Sequence, residues 1–523
     1  INVLANDYDP DGDTLKVVPT GMSWPAHGKV VGYTDSTISI FMYPTFYGKD
    51  TLGYMIREYS HIDGTYIASH LTELYIETVD SYGLGILDTN NMMMGFLANG
   101  ALVWDYYQER NVMEAPKGSG AGTIFCGNLW MGAKDENGDL HLAANLYYQN
   151  GQELWPGPVA NNYNAAYDLK YRRTWTIGKA EIDNHINNWN MPGYQMPEVI
   201  ENWPANGDIS NGEAQNLAPF VDINGNGIYE PASGEYPHIR GDQAVFMMFN
   251  DDRNVHWVTG GEKLGVEGHL MAYAFNEPSD EALQHTVFLN YRLFNRSARD
   301  YTSLRTSMWL DMDIGAYDDN YVGCDTALNT FFGYNGDELD GPTSPNYGAH
   351  PPAQGCTFLN TPMTSFILFD SGMGGQGFPN IPLHYYRYMS GRWQDDTPMT
   401  YGGNGYNGTT PVNYIFPGDP ADSAQWSEVS VGTTPFTRRG LGNAGPFDFN
   451  SGEDICIDLA LTFVRDTTGN HISSVTLLKQ TVPQVQSFYD AQGFECTSVF
   501  TSIEAPGSPG YSGGLHLFPN PAQ

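Results

Sequence analysis

Thr286–Asn295, TVFLNYRLFN, decides the fold class of this chain. Val287, Leu289, Tyr291 and Leu293 recur at every second position, so an extended backbone carries all four on one face. The range 454–466, DICIDLALTFVRD, repeats the pattern with Ile455, Ile457, Leu459, Leu461 and Phe463. Further out, DENG at 135–138 precedes DLHLAANLYYQNG, a hairpin signal. With 59 Gly and 32 Pro the chain is punctuated too often for long helices. The expected fold is mostly β, with a large β-rich, sandwich-type domain, long loops and one or two short helices. One helix is read in SSVTLLKQTVPQVQSFYDAQ, where Val475, Leu478, Val482 and Val485 fall three and four apart. Ser473 or Ser474 is its expected cap, and Pro483 is expected to kink or split it. From 340 to 450 regularity gives way to long loops.

The range 220–256, FVDINGNGIYEPASGEYPHIRGDQAVFMMFNDDRNVH, holds the first candidate site. Asp222, Asn224 and Asn226 offer side-chain oxygens at alternate positions, Ile228 a carbonyl and Glu230 a carboxylate. A hard cation such as Ca²⁺ takes six to eight oxygens from such a loop. Gly225 and Gly227 supply the tight backbone that lets those oxygens converge. Ser233 stands where an EF-hand has Glu, and no amphipathic helix precedes the loop. The reading is a Ca²⁺ loop between strands. The same residues also suit an Asn/Gly-rich turn without metal.

A formal net charge of −36 with only 24 Lys and Arg argues against nucleic-acid partners and anionic membrane surfaces. No stretch approaches the ~20 apolar residues of a membrane span, so no membrane insertion is expected. The five cysteines, Cys126, Cys324, Cys356, Cys456 and Cys496, contain no C-x-x-C pair. An extracellular setting allows two disulfides. Cys324–Cys356 and Cys456–Cys496 are the pairings nearest in sequence, and five buried free thiols are the alternative.

WLDMDIGAYDDNYVGCD, 309–325, is the second acidic constellation. Asp311 and Asp313 share one side of a strand, with Asp318, Asp319 and Asp325 in the loop beyond. Such carboxylates share a Ca²⁺ or a polar cluster, or serve glycoside hydrolysis as acid and nucleophile or base. His185, His256, His269 and His285 lack zinc-ligand spacing, and no G-x-S-x-G elbow or P-loop occurs. Trp104, Trp130, Trp155, Trp203, Trp257, Trp309, Trp393 and Trp426 suit sugar stacking or, more often, a core.

INVLANDYDPDGDTLKVV, HGKVVGY and YPTFYGKDTLGYMIRE in residues 1–79 resemble the bacterial cadherin-like or Ig-like repeat, a small β-sandwich. Asp7, Asp9, Asp11 and Asp13 form one acidic turn there, suited to Ca²⁺ or to plain solvation. Ile1 begins where that repeat's second strand would begin, so Val3, Leu4 and Val17 are expected to lack cover unless preceding residues of a longer chain, or another chain, supply a strand. Residues 80–500 contain EAPKGSGAGTIFCGNLWMGAKDENGDLHLAANLYYQNGQELWPGPV, YDLKYRRTWTIGKAEIDNHI and GPFDFNSGED. They resemble large secreted cell-surface proteins of the Bacteroidota type IX secretion cargo class. In residues 501–523 a Gly/Ser/Pro linker leads to LHLFPNPA, which resembles the start of that route's sorting domain.

The resemblance implies an extracellular, cell-surface location reached across the outer membrane, without bringing a known reaction. It also implies O-glycosylation at Asp-Ser/Thr followed by an apolar residue or Thr, here Thr14, Ser36, Thr51, Thr326, Ser423 and Thr467. The leading expectation is a non-enzymatic, Ca²⁺-stabilised structural protein or adhesin. Its expected partners are copies of itself or neighbouring surface proteins, joined by strand complementation into a filament or layer, and glycans. The alternative is a secreted polysaccharide-binding protein or glycoside hydrolase.

Overall fold

The computed structural model describes residues 1–5, 7–18, 21–42, 48–78, 83–106, 108–147, 153–370 and 374–501. The LHLFPNPA motif lies outside the described residues. The chain is mostly β, with 37% strand and 14% helix. It divides into two compact units, Ile1–Ser81 with Asp105–Arg110, and Tyr82–Trp104 with Asn111–Gln523.

The first unit is an Ig-like sandwich. Gly48–Tyr59 pairs antiparallel with Thr14–Val18 on one side and Tyr66–Thr78 on the other. Gly28–Tyr33 and Ile38–Met42 form a second sheet. Alternation along Gly48–Tyr59 buries Leu52, Tyr54 and Ile56, which meet Val17, Val3 and Ile38. The uncovered edge expected at the start of the chain is not found. Val3 N–H donates to Ser36 O, Ile38 N–H donates to Ile1 O, and Asn2 bridges Thr37. Val3 and Val17 are buried and Leu4 is half-buried, because residues 1–3 themselves line that edge.

The second unit packs two antiparallel sheets. The smaller has the order Leu140–Ala143, Cys126–Asp135, Tyr301–Met312, Arg438–Phe449, Ser365–Phe369. The larger runs Trp155–Pro156, Gln243–Asn250, Val266–Ala274, Thr286–Asn295, Asp454–Val464, Ala353–Phe358, Thr330–Asn335, Asn320–Asp325, with Trp175–Gly178 also beside Gln243–Asn250. Val287, Leu289, Tyr291 and Leu293 do share a face, and it meets Trp130, Met308, Leu310 and Leu441 of the smaller sheet. The opposite face is buried too. Phe288, Phe246 and Tyr273 pack under Tyr171, Ile182 and Val485 of helices Ala165–Tyr171, Lys179–Asn188 and His471–Gln492. Burial on both faces explains near-continuous apolar strands such as QAVFMMFN.

Helix His471–Gln492 is longer than the sequence suggested, at 22 residues. Its cap is Asn470, whose side chain accepts from Ile472 N–H and Ser473 N–H, while Ser473 completes the capping box. Pro483 neither splits the helix nor ends it. It lies on the exposed face of the helix.

Cys456 and Cys496 form a disulfide. Cys324 and Cys356 are separate buried thiols, which corrects the expected Cys324–Cys356 pairing. Both stand opposite Phe331, one on each side of strand Thr330–Asn335. Two strand spacings of ~4.8 Å put them ~10 Å apart, beyond the reach of a disulfide.

Candidate functional site

Strand register assembles one pocket in the second unit. Asp311 stands opposite Cys126 on one neighbouring strand and Arg439 on the other. Arg439 Nε is therefore 3.7 Å from Asp311 Oδ2. Tyr147, from the segment after Leu140–Ala143, donates its hydroxyl to Asp311 Oδ2 and accepts from Arg439 Nε. Asp311 and Asp313 line a cavity of about 720 Å³. Trp104, Phe125 and Tyr147 form its aromatic wall, with Trp104 and Phe125 ring centroids 4.5 Å apart and Phe125 and Tyr147 5.9 Å apart. Glu114 adds a third carboxylate to the lining, and half-exposed Tyr317 contributes from the loop beyond the strand.

The electrostatics follow from burial. Burial pushes the Asp311 carboxyl up to about 6, against the pull of Arg439 and the Tyr147 hydroxyl. Burial and the adjacent Asp311 charge push Asp313 well above the usual carboxylate range. Burial also lifts Asp319 to about 6, although Gly341 N–H donates to it. One buried oxygen on each of Asp311, Asp313, Asp318 and Asp319 has no hydrogen-bond partner. The four do not form a ready metal cage. Among the described residues, the only acidic, histidine or cysteine groups with three ligand atoms within 4.8 Å lie elsewhere. Asp325 turns away, capping Ala327 and Leu328 N–H and pairing with Lys479.

The Asp222 loop lies between strands. Phe220–Asp222 pairs antiparallel with Tyr236–Pro237 and parallel with Val499–Thr501. Gly225 and Gly227 both adopt φ of 75°, the left-handed backbone that glycine tolerates. Asp222 Oδ1 accepts from Gly225 N–H at 2.7 Å, and Oδ2 from Gly227 N–H at 2.7 Å. Burial raises Asp222, but these N–H groups and that of Asn226 outweigh it and hold the carboxyl below its usual range. Glu230 Oε2 accepts from the side-chain amides of Asn224 and Asn226, both at 2.8 Å. Asn226 Oδ1 accepts from Ile228 N–H. Fully buried Glu235 closes the loop from beneath, accepting from Ile223 and Glu230 N–H. Among the described residues, Asp222 and Glu235 are held by backbone N–H without a lysine or arginine.

In the first unit, Asp9 Oδ1 accepts from Asp11 and Asp13 N–H, and Asp13 pairs with His61. Asp9, Asp13 and Glu58 bring ligand atoms within 4.8 Å of one another, while Asp7 and Asp11 stand exposed outside that group. His185, His256 and His269 are buried, each hydrogen-bonded within the fold. Trp130, Trp155, Trp203, Trp309, Trp393 and Trp426 are core residues, and Trp257 is 75% exposed. Thr14, Thr51, Thr326, Ser423 and Thr467 are exposed, and Ser36 is half-buried.

Sequence reasoning missed Tyr147, Arg439, Glu235 and Glu58. Only Glu235 carried a local signal, a carboxylate five residues past Glu230 in a loop already read as oxygen-rich. The others reach their partners from far along the chain, as in the 164-residue separation of Tyr147 and Asp311.

No curated protein matches this chain. Residues 1–65 match the family described as Bacterial Ig domain, so the chain carries an Ig-like repeat at its N-terminus, a feature of surface or extracellular proteins in general.

Proposed function

We propose that this chain is a non-enzymatic bacterial surface protein, an adhesin or structural subunit. Its Ig-like module serves as a spacer, and its large β unit engages an extracellular ligand in the Asp311 pocket. The observation that carries the reading is that pocket: buried carboxylate oxygens without partners, facing a cavity walled by Trp104, Phe125 and Tyr147. Aromatic walls with a few convergent polar groups are what ligand sites are made of. Ca²⁺ at the Asp222 loop stabilises the fold, a role supported by uncompensated carboxylates around two left-handed glycines. Export by the type IX route and glycosylation of exposed threonines complete the proposal. Contact with neighbouring copies runs through strand Tyr66–Thr78, which has one strand partner among the described residues and exposes Leu71 and Tyr75.

The test is immunolabelling of intact cells alongside binding of the purified chain to a panel of extracellular glycans and small ligands. Labelling only after lysis would overturn the surface reading. Equal binding by Trp104→Ala would overturn the pocket.

The alternative, a glycoside hydrolase, draws on one observation: the Asp313 carboxyl, pushed well above the usual carboxylate range by burial and the adjacent Asp311, has the character of a general acid. Release of reducing ends that Asp313→Asn abolishes without lowering the melting temperature would favour it.

A further inference from the structure

The pocket gathers more buried carboxyl groups than the cations among the described residues balance. Asp311 is 2% exposed; Oδ2 faces Tyr147 and Arg439, and Oδ1 has no partner. Asp313 adds a second oxygen without a partner, and Glu114 a third carboxylate to the lining. Arg439 is already committed to Asp311 and Tyr147. Desolvated carboxylates are costly unless a positive charge meets them.

A bare divalent ion fits this demand poorly, because no three acidic residues of this pocket bring a ligand oxygen each within 4.8 Å of one another. Ca²⁺ takes most of its six to eight ligands from converging oxygens. A neutral hydroxyl-bearing ligand supplies hydrogen bonds and leaves the charge uncompensated. An ammonium group supplies both. It carries three N–H donors and a compact positive charge. It also favours aromatic faces such as Trp104 and Phe125, whose ring centroids lie 4.5 Å apart in the pocket wall. The cavity, about 720 Å³, exceeds what an ammonium head alone fills, so the ligand brings a longer skeleton.

We infer that the Asp311–Asp313 pocket binds an organic ligand through a primary ammonium group, seated on the two carboxylates with its carbon skeleton against Trp104 and Phe125. This rests on the reading of the pocket as a ligand site. Two sources share that chemistry, free polyamines and amino sugars.

The experiment is calorimetric titration of the whole chain with spermidine, with a glucosamine trimer, with its N-acetylated counterpart, and with calcium chloride. At least one ammonium ligand should bind, and whichever does names the source. The N-acetylated trimer should bind at least about tenfold more weakly than the ammonium ligand, as should the ammonium ligand to Asp313→Asn. Equal binding of the N-acetylated trimer overturns the charge argument and leaves the ligand site standing. Failure of both ammonium ligands to bind the folded wild type overturns the inference, and the ligand-site reading falls with it only if the wider panel also fails. Calcium binding that Asp313→Asn removes would overturn it in favour of a metal site. The comparison of amine with N-acetyl ligand uses the wild type alone, so it holds even if the variant misfolds.

Discussion

Asp458→Asn should destabilise the large unit by about 3–5 kcal/mol, the cost of leaving a buried charge without its counter-ion. Asp458 and Arg240 are 1% and 6% exposed, with Nη1 2.8 Å from Oδ1. Asp458 also accepts from Asn290 Nδ2 at 2.7 Å, Asn360 Nδ2 at 3.3 Å and the Tyr489 hydroxyl at 2.5 Å. An amide at 458 would turn a donor toward one of those donors, and Arg240 would keep Glu495 O and the faces of Phe494 and Tyr273, 4.5 and 5.9 Å away, but no anion. Glu495 and Phe494 adjoin Cys496, bonded to Cys456, and lead into Val499–Thr501. Losing the ion pair should therefore also loosen the parallel pairing of Val499–Thr501 with Phe220–Asp222. Urea unfolding followed by tryptophan fluorescence reads the first effect, and amide exchange at those two strands the second. The double variant Arg240→Met with Asp458→Leu should lie closer to wild type than either single change, because it removes both charges together. A loss under about 1 kcal/mol for Asp458→Asn, or strictly additive effects in the double variant, would refute the reasoning.

Adding Ca²⁺ at about a hundredfold its dissociation constant should stabilise the large unit by about 2.7 kcal/mol, and Asp222→Ala should remove that dependence; unfolding midpoints that ignore both calcium and chelator would leave the loop a plain turn. Asp311 has its folded-state value raised to about 6 from 3.8, so unfolding releases its proton between those values and stability falls as pH rises through that window. The shift of about two units corresponds to about 3 kcal/mol, which melting of wild type against Asp311→Asn between pH 4 and about 7 should expose as a widening deficit of the wild type. Gly442→Ala should cost about 1–3 kcal/mol by overpacking, since its Cβ would meet the buried Phe331 ring at 2.6 Å and the Phe358 ring at 2.8 Å. Glycopeptide mapping from the native host should find Thr14, Thr51, Thr326, Ser423 or Thr467 modified before half-buried Ser36.

Local chemistry was legible in the sequence alone. Period-two alternation announced Thr286–Asn295 and Asp454–Val464, because side-chain direction in a strand depends only on adjacent residues. The glycines at 225 and 227 announced a tight loop for the same reason, as backbone freedom belongs to the residue itself. The Ig-like repeat was readable because its turns and strands lie within one short stretch. What the tertiary structure decided is which strand lies beside which. Helices cover the outer face of the large sheet, so Phe288 is as buried as its neighbours, which no single strand's pattern distinguishes. Cys324 and Cys356 lie close in sequence but are separated by a strand, while Cys456 meets Cys496 only after the helix at 471–492 returns the chain. The pocket makes the same point. Asp311 was visible as an acid on a strand, but its partners Arg439 and Tyr147 reach it only through sheet order and register. Those are set by the packing of the whole core, which no local stretch encodes.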